Sequence, residues 1–296
     1  MKGTVCIALA CLLLTGCAGQ KVLRPSAAGD LRSLLSGQTF ALTVAPGAER
    51  LLQGAVSNDG TGIIERGNAA AQNIQVSVNS SNNAGGGAGV GLGVAIGTAL
   101  AANLSQGELK RTRQDEARQR VAPLRAALDA QALDGVFAEG FTRAFAQANR
   151  PISSAGAFEL RVEPQALLSQ DSRSLRLVSE VQLMHGRQAI YQGRIEVQGR
   201  ALECSTNCLD QWSASDAKAY REALDSTIVE TVRVLLLDWD TEHFAGQLGA
   251  EKTLRYQVGE DRYVERGRLW NGALASAPVF LSLRGWIKSI PVPLQP

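Results

Sequence analysis

The sequence predicts an α+β protein: an antiparallel β-meander covered by helices in a βαβββα-like order, with a Gly-rich apolar helix and a small C-terminal β unit. Three observations predict it. Apolar residues recur at intervals of three and four from Ala117 to Ala148. Between Phe158 and Gln198 the period switches to two. From Tyr220 to Leu235 it returns to three and four. A period near 3.6 gives one apolar stripe on a helix, and a period of two gives one apolar face on a strand.

Taken in order, Thr39 to Ala45 alternates and is rich in β-formers, so it predicts a strand ended by Pro46-Gly47. Leu51 to Glu65 fits no single period, although Asn58-Asp59-Gly60 has turn chemistry. Ala117, Val121, Leu124 and Leu128 form a helical stripe, with Pro123 as a kink or a fresh start. The adjacent basic run, Lys110, Arg111, Arg113, Arg118 and Arg120 against Asp115 and Glu116, reads as a solvated helix face laced with ion pairs. A contact with phosphate head groups is its alternative. Phe137, Phe141, Ala144, Phe145 and Ala148 predict a second core helix over 135–148, which Pro151 ends.

Three long strands follow, around Phe158–Val162, Leu175–Leu183 and Ile190–Gln198, with turns at Gln170-Asp171-Ser172 and His185-Gly186-Arg187. One face of this meander is apolar and expects a cover; the other is polar. Ser213 or Ser215 caps the next predicted helix, which runs to about Trp239. Its stripe of Tyr220, Leu224, Thr227, Ile228, Thr231, Val232 and Leu235 supplies the cover. The last residues read as short strands at 254–258, 263–266, 268–270 and 279–283, with Gly285-Trp286-Ile287 after them. They fit either a small independent barrel or an extension of the main sheet.

No charged residue occurs between Gly67 and Gly107. Within that stretch Gly85, Gly89, Gly93 and Gly97 stand four apart, which on a helix puts them on one face open to another backbone. Three readings fit residues 84–104: a membrane-inserting or self-associating helix, a helix buried against the domain's own sheet, or a Gly-rich loop. Glycine costs about 1 kcal/mol per helical residue relative to Ala, so a helix here needs a packing partner. The spacing resembles the glycine zippers of some envelope lipoproteins, which often carry two such segments where this chain has one.

The N-terminus carries an address. Lys2 and the apolar run Val5–Leu14 form a signal peptide too short to span a bilayer. It ends in Leu14-Thr15-Gly16-Cys17, which resembles the lipobox of bacterial lipoproteins. That resemblance implies cleavage after residue 16 and a diacylglyceryl group on Cys17. Ala18 in place of Asp implies sorting to the outer membrane, with the body facing the periplasm. Several acyl chains exceed the two signals that stable anchoring needs. Residues 17–38 then read as a tether, 39–249 as the α+β domain and 250–296 as the C-terminal unit.

Of five cysteines, Cys6 and Cys11 fall in the signal peptide and Cys17 is the lipidation site. Cys204 and Cys208 are left, and in an oxidising periplasm they are expected to pair. Half a tetrahedral metal shell and a redox pair are the rival readings, each disfavoured: no His is near, and the spacing is not Cys-x-x-Cys. A formal charge of +2 excludes a bulk field drawing the chain to nucleic acid.

No nucleophile elbow, zinc-protease motif or phosphate loop is present in the sequence. His185 and His243 read as solvated, and Asp238/Asp240 as a helix terminus more than a glycosidase-like acid pair. The order of elements is similar to that of the auxiliary lipoproteins of envelope ABC transporters, a likeness of pattern alone. The expected function is thus a non-catalytic accessory of an envelope complex, held by its N-terminal lipid, with an envelope protein as partner and no cofactor. The alternatives are a self-associating or membrane-inserting protein working through its glycine zipper, as a homo-oligomer, and a glycan-binding or glycan-active protein.

Overall fold

The computed structural model describes residues 31–56, 111–128, 135–150, 152–154, 156–204, 207–272 and 277–294. Cys17 and the zipper positions Gly85, Gly89, Gly93 and Gly97 lie outside the described residues.

The chain is α+β, with a mostly antiparallel mixed sheet. A short helix α1 (Leu31–Leu34) precedes strand β1 (Phe40–Val44), a second short helix α2 (Ala48–Leu51) and strand β2 (Gln53–Gly54). Helix α3 covers residues 111–128 and α4 is Val136–Gln147. The meander follows: β3 (Phe158–Leu168), β4 (Leu175–His185) and β5 (Gln188–Gln198). Helix α5 (Cys208–Trp239) and the short α6 (Thr241–Gly246) lead to β6 (Leu248–Val258), β7 (Asp261–Trp270), β8 (Val279–Ser282) and β9 (Ile287–Ser289).

The nine strands among the described residues share one sheet, in the order β1-β3-β4-β5-β9-β8-β7-β6, with β2 also paired to β3. β1 and β2 run parallel to β3, and β9 runs parallel to β5. The C-terminal strands are therefore an extension of the main sheet, joined by Ile195 opposite Ile287 and Val197 opposite Ser289.

Alternation along the meander decides which side becomes core. Leu160, Val162 and Ala166 of β3, Leu177, Val181 and Leu183 of β4, and Tyr191, Ile195 and Val197 of β5 share one face and are buried. Helices α4 and α5 lie on that face. Leu224, Ile228, Val232 and Leu235 of α5 are almost fully buried, each contributing about 1.5–3 kcal/mol. Ala117, Val121, Leu124 and Leu128 bury the stripe of α3. Its basic face is occupied locally: Arg118 pairs with Asp115, and Arg120 and Arg125 donate to the Ala55 and Leu52 carbonyls.

Helix α5 is two helices. Ala214 is extended, and Ser215, Asp216 and Ala217 all have positive φ (51°, 58° and 55°). Left-handed backbone costs about 1–2 kcal/mol per non-glycine residue. Trp212 fixes the short first helix by donating its indole N–H to the Ser172 carbonyl, 2.6 Å away. Fully buried Ala217 then enters the core at the start of the long helix. The break falls where the Ser213/Ser215 cap was expected.

Three sequence expectations need correction. Residues 31–38, expected to belong to the tether, include part of the domain: Leu31 and Leu35, four apart, are buried in the main core. Strand β7 is one strand and not two: Gly267 is a close approach, since a Cβ there would meet the Leu281 carbonyl oxygen at 2.6 Å. Strand β6 starts at Leu248, through Gly249-Ala250-Glu251-Lys252, which has no apolar alternation. A bulge between Leu248 and Glu251 and pairing to β7 hold it extended.

Candidate functional site

The polar face of the meander does not simply meet solvent. The β6–β7 turn comes back against the β3–β4 turn: Asp171 Oδ2 accepts from the Glu260 amide at 2.7 Å, and Arg173 pairs with Glu260 at 2.9 Å. The sheet thus curls with its polar face inward. A second apolar cluster of Leu254, Tyr256, Val258, Phe280 and Ile290 fills the C-terminal part of this concave side.

Between that cluster and the meander lies an ion network. Strand alternation puts Glu180 of β4, Arg194 and Glu196 of β5, Lys288 of β9 and Glu265 of β7 on the concave face. Lys288 Nζ sits 2.9 Å from Glu196 and 2.7 Å from Glu265. Arg194 reaches Glu180 at 3.1 Å and Glu196 at 3.2 Å. Tyr256 donates its hydroxyl to Glu265 at 2.6 Å. The Trp286 ring lies over the Arg194 guanidinium, 4.1 Å from ring centre to guanidinium carbon, with Arg284 at 5.0 Å.

Burial works against the Glu196 carboxylate, but Lys288, Arg176 and Arg194 outweigh it, and its pKa is lowered. Tyr256 is pushed up by burial and by Glu265 beside it. Tyr263, stacked on Tyr256 at 4.8 Å, is pushed up to about 12, chiefly by burial. Asp261 is raised by burial and by Asp171 across the turn junction. Perturbed groups thus gather on this face, as they do at functional sites and at structural ion networks alike. Three carboxylates, Glu180, Glu196 and Glu265, stand against Arg176, Arg194 and Lys288. The arrangement can hold its shape and present charge and an indole ring.

The residues singled out in the sequence lie elsewhere. The Cys204 and Cys208 sulfurs are at disulfide distance, with Cα atoms 5.5 Å apart, at the start of α5. Asn207 caps that helix, accepting from the Leu209 amide. Asp238 and Asp240 diverge. Asp238 is buried and accepts from the Tyr191 hydroxyl at 2.8 Å, whereas Asp240 caps α6 and pairs with Arg32. His185 stacks on Phe158, and exposed His243 meets the edge of Trp270. His243 also lines, with Asp240, Gly246 and Gln247, an open depression of about 430 Å³.

Among the described residues, no group of three or more His, Cys, Asp or Glu is placed to hold a metal ion, and no helix is long and apolar enough to cross a membrane. The ion network was not legible in the sequence. Its one signal is Lys288 standing inside the apolar run Trp286-Ile287-Lys288-Ser289-Ile290. No protein-family model, curated protein or solved structure matches the chain.

Proposed function

We propose that the chain is an outer-membrane lipoprotein, anchored through Cys17 and facing the periplasm, that works by binding as an accessory of an envelope complex. The observation that supports binding over catalysis is the closure of the Glu196 network on itself. Each carboxylate there is matched to a base or a phenol, which leaves charge and ring surface for recognition. The rim of that network, Trp286 with exposed Arg284 beside it, is the contact surface this reading favours. Aromatic and Arg side chains of this kind carry much of the energy at protein interfaces.

The anchor is tested by mass spectrometry of the mature protein, which should begin at Cys17 with acyl mass. Cys17→Ser should abolish acylation and cleavage after residue 16. The contact is tested by cross-linking at position 284 in cells: a discrete adduct that Trp286→Ala removes is expected, and an unchanged adduct pattern overturns it.

A further inference from the structure

The two most exposed large apolar side chains among the described residues are Val264, 68% exposed, and Leu283, 60% exposed. They lie on the same face of the sheet. Val264 is on β7, and Leu283 follows β8 opposite Arg266, its amide donating to the Arg266 carbonyl at 3.2 Å. On β7 the same face carries Arg262, Arg266 and Arg268 at alternate positions, and on β6 it carries Arg255, directly across from Val264. This is the helix-covered side of the sheet, run out past the helices.

Among the described residues, four exposed arginines face one carboxylate there, Glu251, which pairs with Arg266. Arg268 donates to the Leu248 and Gly249 carbonyls. Arg255 and Arg262 make no ion pair among the described residues. From Arg262 to Arg268 the row is about 20 Å long at 3.4 Å per residue. Val264 and Leu283 set among these guanidinium groups make a face that is cationic and apolar at once. A bilayer surface uses both, since head-group phosphates pair with guanidinium and aliphatic tips enter the acyl boundary. The N-terminal segment also joins the body at this end. Arg32 pairs with Asp240, and one short helix separates Asp240 from β6.

We infer that the Arg255, Arg262, Arg266 and Arg268 face, with Val264 and Leu283, docks on an anionic phospholipid surface. The acyl anchor proposed above would bring the protein to a bilayer; this face sets which side lies on it. It does not need the anchor, so residues 18–296, which hold every described residue, serve as the probe protein and separate failure of this inference from failure of the anchor.

The measurement is co-sedimentation with vesicles of phosphatidylethanolamine and phosphatidylglycerol, and with pure phosphatidylcholine, at 0.1 M and 0.5 M salt. Binding to the anionic vesicles at low salt, its loss at high salt, and none to phosphatidylcholine are expected. Each basic residue near such a surface is worth about five-fold in affinity. Arg255→Glu with Arg262→Glu should therefore weaken binding by about 25-fold or more. Val264→Ser with Leu283→Ser should weaken it with the salt dependence kept. Thermal melts check that both exposed pairs leave the fold intact. Equal binding to both vesicle types, no binding at low salt, or binding indifferent to the Arg substitutions overturns the inference. So does a concentration-dependent dimer that the Arg substitutions dissolve, which would assign the face to a second copy of the chain.

Discussion

Asp171 and Asp261 hold two turns together by the same device used in both directions. Asp171 accepts from the Glu260 amide at 2.7 Å, and Asp261 accepts from the Gln170 amide at 3.4 Å. Three strands stand between β4 and β7 in the sheet, so this clasp is what the curl of the sheet brings together. It sets two carboxyl groups close enough for Asp171 to raise the pKa of Asp261, after burial.

That raised value has a sign. The folded chain binds the Asp261 proton more tightly than the unfolded chain, so stability falls as pH rises from the ordinary carboxylate range through the raised value. Asp261→Asn keeps an acceptor oxygen and removes the repulsion. It should raise stability at pH 7 by less than about 1 kcal/mol after solvent screening, read as a higher melting temperature. The gain should fade as pH is lowered into the carboxylate range. A loss of stability at pH 7 would show that the charge itself holds the clasp.

Gly259 turns the β6–β7 hairpin at φ +62°, and a Cβ there would come within 2.3 Å of Asp171 Oδ2 and 3.2 Å of the Arg173 Cβ. Gly259→Ala should cost about 1–3 kcal/mol in denaturant unfolding, from backbone strain and from the displaced carboxylate. Gly186→Ala is the control: its φ is similar at +59°, but nothing lies within 4 Å of the added carbon. The difference between the two isolates the clasp.

Lys288 sets its ammonium between the Glu196 and Glu265 carboxylates, its side chain 11% exposed and that of Glu196 6%. Lys288→Met should cost about 3–5 kcal/mol, because the carboxylates lose a charge partner they have no water to replace. Adding Glu196→Gln and Glu265→Gln should recover most of it. In the unaltered chain Glu196 has a lowered pKa, so its contribution is present above the ordinary glutamate range and lost as pH falls through the folded value. Lys288→Met should flatten that acid limb, which urea titrations at several pH values would read.

Tyr191 and Asp238 meet inside the helix–sheet core, 2.8 Å apart, with Trp239 edge-on to the tyrosine ring. Tyr191→Phe keeps the ring and removes one donor from a buried carboxyl. A loss of about 1–3 kcal/mol is expected in thermal or urea unfolding. No change would mean that the other contacts of Asp238 satisfy it alone.

The stretches legible in the sequence are those where one period persists. Phe137, Phe141 and Phe145 on α4, the alternating β3 to β5, and the α5 stripe from Tyr220 to Leu235 each repeat a pattern that only one secondary structure can bury. Beyond them legibility fails for identifiable reasons. Leu31 and Leu35 are too few to mark a helix inside a polar arm. Gly267 reads as a break until β8 lies against it. Glu196, Lys288 and Glu265 are ordinary polar residues on three strands until the sheet makes neighbours of them.

By itself, then, the sequence determined the long periodic elements and the side each one buries, because those follow from the spacing of apolar residues along a few turns or one strand. It also supplies the Leu14-Thr15-Gly16-Cys17 order on which the proposed anchor rests, a matter of residue order alone. Only the tertiary structure decided that the C-terminal strands join the main sheet, that the sheet curls until Asp171 and Asp261 clasp, and that four arginines share a face with Val264. Each of these depends on which distant backbones pair and in what register, and hydrogen bonds between distant strands leave no period in the chain that makes them.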